Sequence, residues 1–304
     1  MAQYFSLILV AITLITGLLW LLDLALLKPK RQQKLALAQS GGTTLGEEAT
    51  QKIMSEPAII DTAKQIFPII AFVLVMRSFF YEPFQIPSGS MKPTLLVGDF
   101  ILVEKFAYGV KDPVFRSKFI ETGEPKRGDV AVFKYPENPT LDYIKRVVGL
   151  PGDTVRYRNK QLWIKPACEQ GNECQGFTQV ALDKVNVGEF DQFGMPQTRY
   201  TEQLPGQSHD VLVTHQLPSN SHQYYWQRAT AIDEFVVPEG EYFVLGDNRD
   251  NSRDSRYWGF VKDEHLVGKA VFIWISFEFE RDSQSWLPGW IPSDVRFNRI
   301  GGIS

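Results

Sequence analysis

The chain has 304 residues, 32 basic against 35 acidic side chains, a formal charge of −3, two cysteines and four histidines. That balance argues against a general nucleic-acid binder, which carries a basic excess. So few cysteines and histidines cannot build a disulfide-dense scaffold or a multi-cysteine zinc site, and 44% hydrophobic residues is too few for a chain lying wholly in lipid.

The first apolar run is Tyr4 to Leu27, in which only Ser6, Thr13, Thr16, Gly17 and Asp23 are not apolar. As a helix it is about 36 Å long, enough to cross a hydrocarbon core of about 30 Å. A cleaved signal peptide is the competing reading, and Ala36-Leu37-Ala38 keeps it open as a small-residue cleavage site. It would want basic residues before a shorter run. Here the basic cluster Lys28, Lys30, Arg31 and Lys34 comes after, which places the N-terminus outside and the following segment in the cytoplasm. Residues 39–56 are polar, contain Gly41-Gly42 and read as a linker loop. The second apolar run is Ile59 to Tyr81. Its uninterrupted core, Ile66 to Met76, is short enough to be a buried helix. Ile59, Ile60 and Ala63 extend it, and Lys64 and Arg77 can snorkel, which favours a second crossing. Residues 82–304 are then outside the cytoplasm, where Cys168 and Cys174 are expected as a disulfide; two unrelated thiols are the alternative.

The remainder reads as short strands. Gly-Asp recurs as turn punctuation at 98–99, 128–129, 152–153 and 246–247. Strands are expected at Phe100–Phe106, Val130–Tyr135, Tyr143–Val148, Thr154–Tyr157, Glu241–Leu245 and Ala270–Phe279. No long helical pattern follows residue 82, and residues 158–238, rich in Gln, Asn and Pro, look like an inserted subdomain. His209, His215, His222 and His265 are expected at the surface. Arg127-Gly128-Asp129 reads as a turn before a strand. No zinc-hydrolase or P-loop pattern occurs, so no metal and no cofactor is expected.

Three segments look chemical. In Phe84 to Leu95, Ser88-Gly89-Ser90 is a tight polar turn between apolar flanks. Such a turn can present a hydroxyl and a backbone N–H at one point, the parts of a nucleophile and an oxyanion hole; an ordinary Ser/Gly turn reads equally well. In Leu141 to Asp153, Tyr143, Lys145 and Val147 share one strand face. A desolvated lysine there would lose its proton more easily and act as a base, whereas a strand-edge lysine in water would not. Gly246 to Gly259 is almost wholly polar between the apolar flanks Val244-Leu245 and Tyr257-Trp258. That pattern suggests a buried hydrogen-bond network supporting a site, with a solvated loop as the alternative.

Together the three segments resemble bacterial type I signal peptidase, the membrane-bound Ser–Lys protease that removes signal peptides, and the resemblance runs the length of the chain. It implies Ser90 as nucleophile and Lys145 as general base. It implies Ser88 completing an oxyanion hole with the Ser90 N–H, Ser252 orienting the lysine, and Asp254–Arg256 as a supporting salt bridge. It also implies substrate pockets lined by Phe84, Ile86, Met91, Leu95, Ile101, Val132 and Ile144, taking small residues at the −1 and −3 positions. The implied fold is mainly β: an antiparallel, barrel-like catalytic domain (82–153 and 239–304) with an inserted β-rich subdomain (154–238). Two N-terminal transmembrane segments (1–27 and 59–81) flank a cytoplasmic loop (28–58). The implied partners are secretory preproteins and membrane lipid, not nucleic acid. The implied place is the bacterial inner membrane, with the N-terminus and catalytic domain on the periplasmic face. Bottom-up chemistry agrees: a lysine acting as base at pH 7 needs its pKa lowered by about 3 units, or about 4 kcal/mol of desolvation. Phe79, Phe80, Tyr81 and Phe84 are expected at the membrane interface, and Trp286 to Ile291 either there or in ordinary packing. A cytosolic Ser–Lys self-cleaving repressor and a membrane-anchored binding protein are the rival classes.

Overall fold

The computed structural model describes residues 2–40, 46–112, 117–168, 174–279, 288 and 291–303. The Trp286 to Ile291 stretch therefore lies outside the described residues apart from Pro288 and Ile291. The chain divides into a helical unit ending at Phe80 and a β-rich unit beginning at Tyr81.

In the helical unit, α1 (Ala2–Leu22) runs through a π-helical turn at Asp23–Leu27 into α2 (Lys28–Ser40). Next come α3 (Glu47–Met54) and α4 (Ala58–Val75), the latter extended by a π-helical turn to Phe80. Two helical stretches are long and apolar enough to cross a membrane, Ser6–Ser40 and Ala58–Phe80. They pack where Gly17 lets Phe67 approach; a Cβ there would sit 2.7 Å from the ring, and Trp20 meets the same ring edge-on at 5.4 Å. Buried Asp23 is paired with Arg31 at 2.8 Å and Lys64 at 2.7 Å, so a charge inside the apolar run is neutralised by both helices. The polar stretch expected as a loop contains α3. Glu47 and Glu48 in its first turn and Lys52 in its last complement the helix dipole.

The longer strands of the second unit are β1 (Tyr81–Gln85), β2 (Asp99–Glu104), β3 (Val130–Tyr135), β4 (Asn138–Gly149), β5 (Thr154–Arg158) and β6 (Gln161–Lys165). They continue as β7 (Ala181–Gln192), β8 (Met195–Leu204), β9 (Gln207–Val213), β10 (Glu234–Val236), β11 (Glu241–Leu245) and β12 (Leu266–Glu278). The main sheet is antiparallel in the order β1-β2-β12-β3-β4-β11. β10-β5-β6 and β7-β8-β9 form two smaller antiparallel sheets. Mainly antiparallel β with two apolar N-terminal helices is the architecture the sequence led us to expect. The strands expected at 130–135 and 241–245 coincide with β3 and β11.

Three of the four Gly-Asp pairs build one repeated turn. Gly98, Gly128 and Gly152 have φ of +92°, +94° and +81°, where a side chain would be strained. The following Asp99, Asp129 and Asp153 each accept a hydrogen bond from the backbone N–H three residues back, at 2.8, 3.0 and 2.7 Å. Each turn launches a strand: β2, β3 or β5. The fourth pair, Gly246-Asp247, instead ends β11 and enters the polar segment.

One core cluster gathers Ile86, Met91, Leu95, Ile101 and Val132, with Phe84 and Ile144 packed against it. All seven residues expected to line substrate pockets thus share one cluster. Cys168 and Cys174 are joined as a disulfide, with Cα atoms 5.0 Å apart.

Candidate active site

The Ser88–Ser90 turn sits in the β1–β2 connection, whose base is closed by Ile86 N donating to Asp99 O at 2.8 Å and Gly98 N to Ile86 O at 3.0 Å. Met91 and Leu95 are fully buried beneath it, so the apolar side chains anchor the loop and leave Ser88 exposed. Ser90 is 9% exposed and Lys145, on β4, is 4% exposed. Lys145 Nζ lies 2.9 Å from Ser90 Oγ and donates to the Ile144 carbonyl at 2.7 Å. The Tyr143 ring centroid is 5.4 Å from the amine. Ser88 Oγ is 3.4 Å from Ser90 Oγ.

Burial pushes the Lys145 amine down from 10.5 to about 8; Asp254 and Asp247 oppose the shift and Arg256 adds to it. The two buried carboxylates limit the fall, and desolvation outweighs them.

The polar segment after β11 is largely buried, as its apolar flanks suggested, with Asn251 and Arg253 exposed. Asp254 accepts from Arg256 Nε at 2.8 Å and Nη2 at 2.9 Å, and from Gly246 N at 3.0 Å. Burial pushes the Asp254 carboxyl up, but the Arg256 charge outweighs this and holds it below its usual value. Ser252 does not make the lysine bond expected of it. Its buried hydroxyl instead helps hold the Asp254 carboxyl down, and Lys145 Nζ is taken by Ser90 Oγ and the Ile144 carbonyl.

The pairings of several supporting residues have no sequence signal. Asp247 accepts two hydrogen bonds from fully buried Arg146 at 2.9 and 2.8 Å and one from Thr94 Oγ1 at 2.5 Å. The partners are 101 and 153 positions apart, so no spacing rule finds them. Arg249 pairs with Glu202 of the insert, donating to Oε1 at 2.8 Å and Oε2 at 2.5 Å. The Arg249 charge more than offsets burial and holds that carboxyl down to about 2. His209, expected at the surface, is buried with Nε2 3.4 Å from Glu202 and 3.7 Å from Asp247, because β9 turns it inward; His215 and His222 are exposed. Asn248, from the same polar segment, donates to the Ser90 and Gly89 carbonyls at 3.0 and 3.1 Å.

A hydroxyl beside a buried, partly deprotonated amine can be activated as a nucleophile. Comparison with known proteins bears on the family. The family model described as signal peptidase, peptidase S26, matches residues 59–275. The chain is 43% identical to signal peptidase I of Pseudomonas fluorescens and 42% identical to that of Pseudomonas aeruginosa, with all of each chain covered. It is 37% identical to signal peptidase I of Buchnera aphidicola from Acyrthosiphon pisum, again over both full lengths. Among solved structures, a signal peptidase I from Enterococcus faecalis is 28% identical, matching 48% of this chain and 96% of that one with a TM-score of 0.26.

Proposed function

The chain belongs to the signal peptidase family, peptidase S26, and from that membership we propose a membrane-anchored serine endopeptidase that removes N-terminal signal peptides from exported preproteins. The observation that carries the mechanism is the 2.9 Å contact between Lys145 Nζ and Ser90 Oγ.

When Lys145 is neutral, its lone pair accepts the Ser90 proton as Oγ attacks the scissile carbonyl. The carbonyl π electrons move onto oxygen, and the resulting oxyanion is met by the Ser90 N–H and the Ser88 hydroxyl. Collapse expels the amine of the mature protein, which takes the proton back from Lys145. The acyl-enzyme ester is then hydrolysed by a water that Lys145 deprotonates. Ser252, packed with the Ser90 carbonyl against Gly246, orients the amine as substrate arrives. Asp254–Arg256 supports the loop. Phe84, Ile86, Met91, Leu95, Ile101, Val132 and Ile144 form apolar walls that admit only small residues at −1 and −3.

Two crossings, with the basic residues between them in the cytoplasm, put the N-terminus and residues 82–304 on the periplasmic face of the inner membrane. Ser90 follows the second apolar run within about ten residues. Extended chain spans at most about 3.5 Å per residue, so the nucleophile stays within reach of a cleavage site emerging from lipid. Cys168–Cys174 suits that oxidising side.

A serine-directed acylating reagent tests the pairing. The expected result is one adduct, located on Ser90 by peptide mass, forming far more slowly in Lys145→Met. An adduct elsewhere, or one whose rate ignores Lys145→Met, would contradict it.

A further inference from the structure

Asn248 holds both carbonyls of the nucleophile turn: its N–H donates to Ser90 O at 3.0 Å and its Nδ2 to Gly89 O at 3.1 Å. The Gly89 carbonyl and the Ser90 N–H belong to one planar trans peptide unit, so they point in opposite directions. Gripping the oxygen therefore aims the N–H. Glycine at 89 is the residue least able to hold that plane by itself.

Asn248 needs a support of its own. With Nδ2 committed to Gly89, its Oδ1 faces the other way and requires a donor. That donor is Gln197 Nε2 at 2.9 Å, on β8 of the inserted subdomain; Gln197 is 1% exposed and Asn248 2%. The Gln197 amide is oriented in turn by Thr214 Oγ1, which accepts its second hydrogen at 3.1 Å. Its Oε1 takes no partner among the described residues, so this amide serves by what it donates. Thr214 and Gln192 are both fastened to the same polar segment. Thr214 N donates to Asp250 Oδ2 at 2.7 Å, Thr214 Oγ1 to Gln192 Oε1 at 2.9 Å, and Gln192 Nε2 to Asp250 O at 3.1 Å. Three insert residues thus converge on 248–250.

We infer that Gln197 is a positioning residue for the peptidase reaction: acting through Asn248, it fixes the Gly89–Ser90 peptide plane and so aims the Ser90 N–H at the oxyanion. This rests on the proposed role of Ser90, and it gives the inserted subdomain a part in catalysis.

The test is steady-state preprotein cleavage by the full-length detergent-solubilised enzyme. Gln197→Met keeps length but cannot donate. Its kcat should fall about tenfold, the scale of a small misalignment at a reacting centre. KM and the acid limb of the pH profile should stay in place, because Lys145 is untouched. Asn248→Ala should lose at least as much, and the double variant no more than Asn248→Ala alone. If Gln197→Met does not fold, Gln197→Leu, which is of similar size and also cannot donate, is expected to show the same kcat loss. Wild-type kcat with only a lower Tm, or multiplicative losses in the double variant, would overturn the inference. Ser90→Ala run alongside separates the two claims: if it stays active the Ser90 assignment fails, whereas an inactive Ser90→Ala beside an unimpaired Gln197→Met overturns the positioning role alone.

Discussion

Lys145 is held at a thermodynamic cost that its neighbours do not remove. Burial lowers its pKa from 10.5 to about 8, which corresponds to about 3 kcal/mol. The unfolded lysine stays protonated up to about 10.5 and the folded one only to about 8, so the unfolded state binds more protons between them. Stability therefore rises with pH across that window, and below about 8 the full cost is present. Lys145→Met should raise the Tm by several degrees at pH 7 and by less at pH 10; a lower Tm at pH 7 would contradict the desolvation argument. The same group sets the rate. With neutral Lys145 as base, kcat/KM should fall about tenfold per pH unit below a limb near 8, while a limb near 6.5 would point to a histidine. At this scale the Ser90 turn and the Lys145 strand stood out as polar atoms among apolar neighbours, but each had an ordinary reading as well, and only the resemblance of the three segments together gave them roles. His209 and Gln197 were not. Their burial is decided by how β8 and β9 sit against the 246–254 segment, and their own neighbours are ordinary polar residues.

Among the elements, the polar segment from Gly246 to Asp254 carries the site, and its first residue shows how tightly. A Cβ on Gly246 would lie 2.5 Å from Ser252 Cβ and 2.6 Å from the Ser90 carbonyl oxygen. Gly246→Ala must push the nucleophile turn away from Lys145. The expected result is a kcat loss of roughly a hundredfold with substrate KM little changed; unchanged kcat would mean that the turn tolerates displacement. Strands β3 and β11 were readable because aromatic and β-branched residues fill them next to a Gly-Asp turn. β7 was hidden, since its residues are mostly exposed on both faces and its composition is polar. α3 was hidden for another reason: it has eight residues, and its half-buried side (Ala49, Ile53 and Met54) is too short a run for periodicity to stand out in a polar stretch.

For the whole molecule, the two units are separable by their contacts. The main sheet begins at Tyr81, and its apolar clusters draw only on residues after that point. A chain lacking residues 1–80 should therefore unfold cooperatively and still cut a preprotein in detergent; an unfolded product would show that the helices are needed for the β fold. The two apolar N-terminal helices and the mainly β domain were legible from the apolar runs and from the spacing of short β-rich runs between turns. The partners of Arg146 and Arg249 were not, because each bridges chain segments far apart in sequence.

The most direct measurement is cleavage of a purified secretory preprotein in detergent by wild type, Ser90→Ala and Lys145→Met, with the product N-terminus sequenced. Wild type should cut after a small residue, and both variants should lose at least a thousandfold in kcat while keeping a cooperative thermal transition. Full cleavage by either folded variant would contradict the Ser90–Lys145 account.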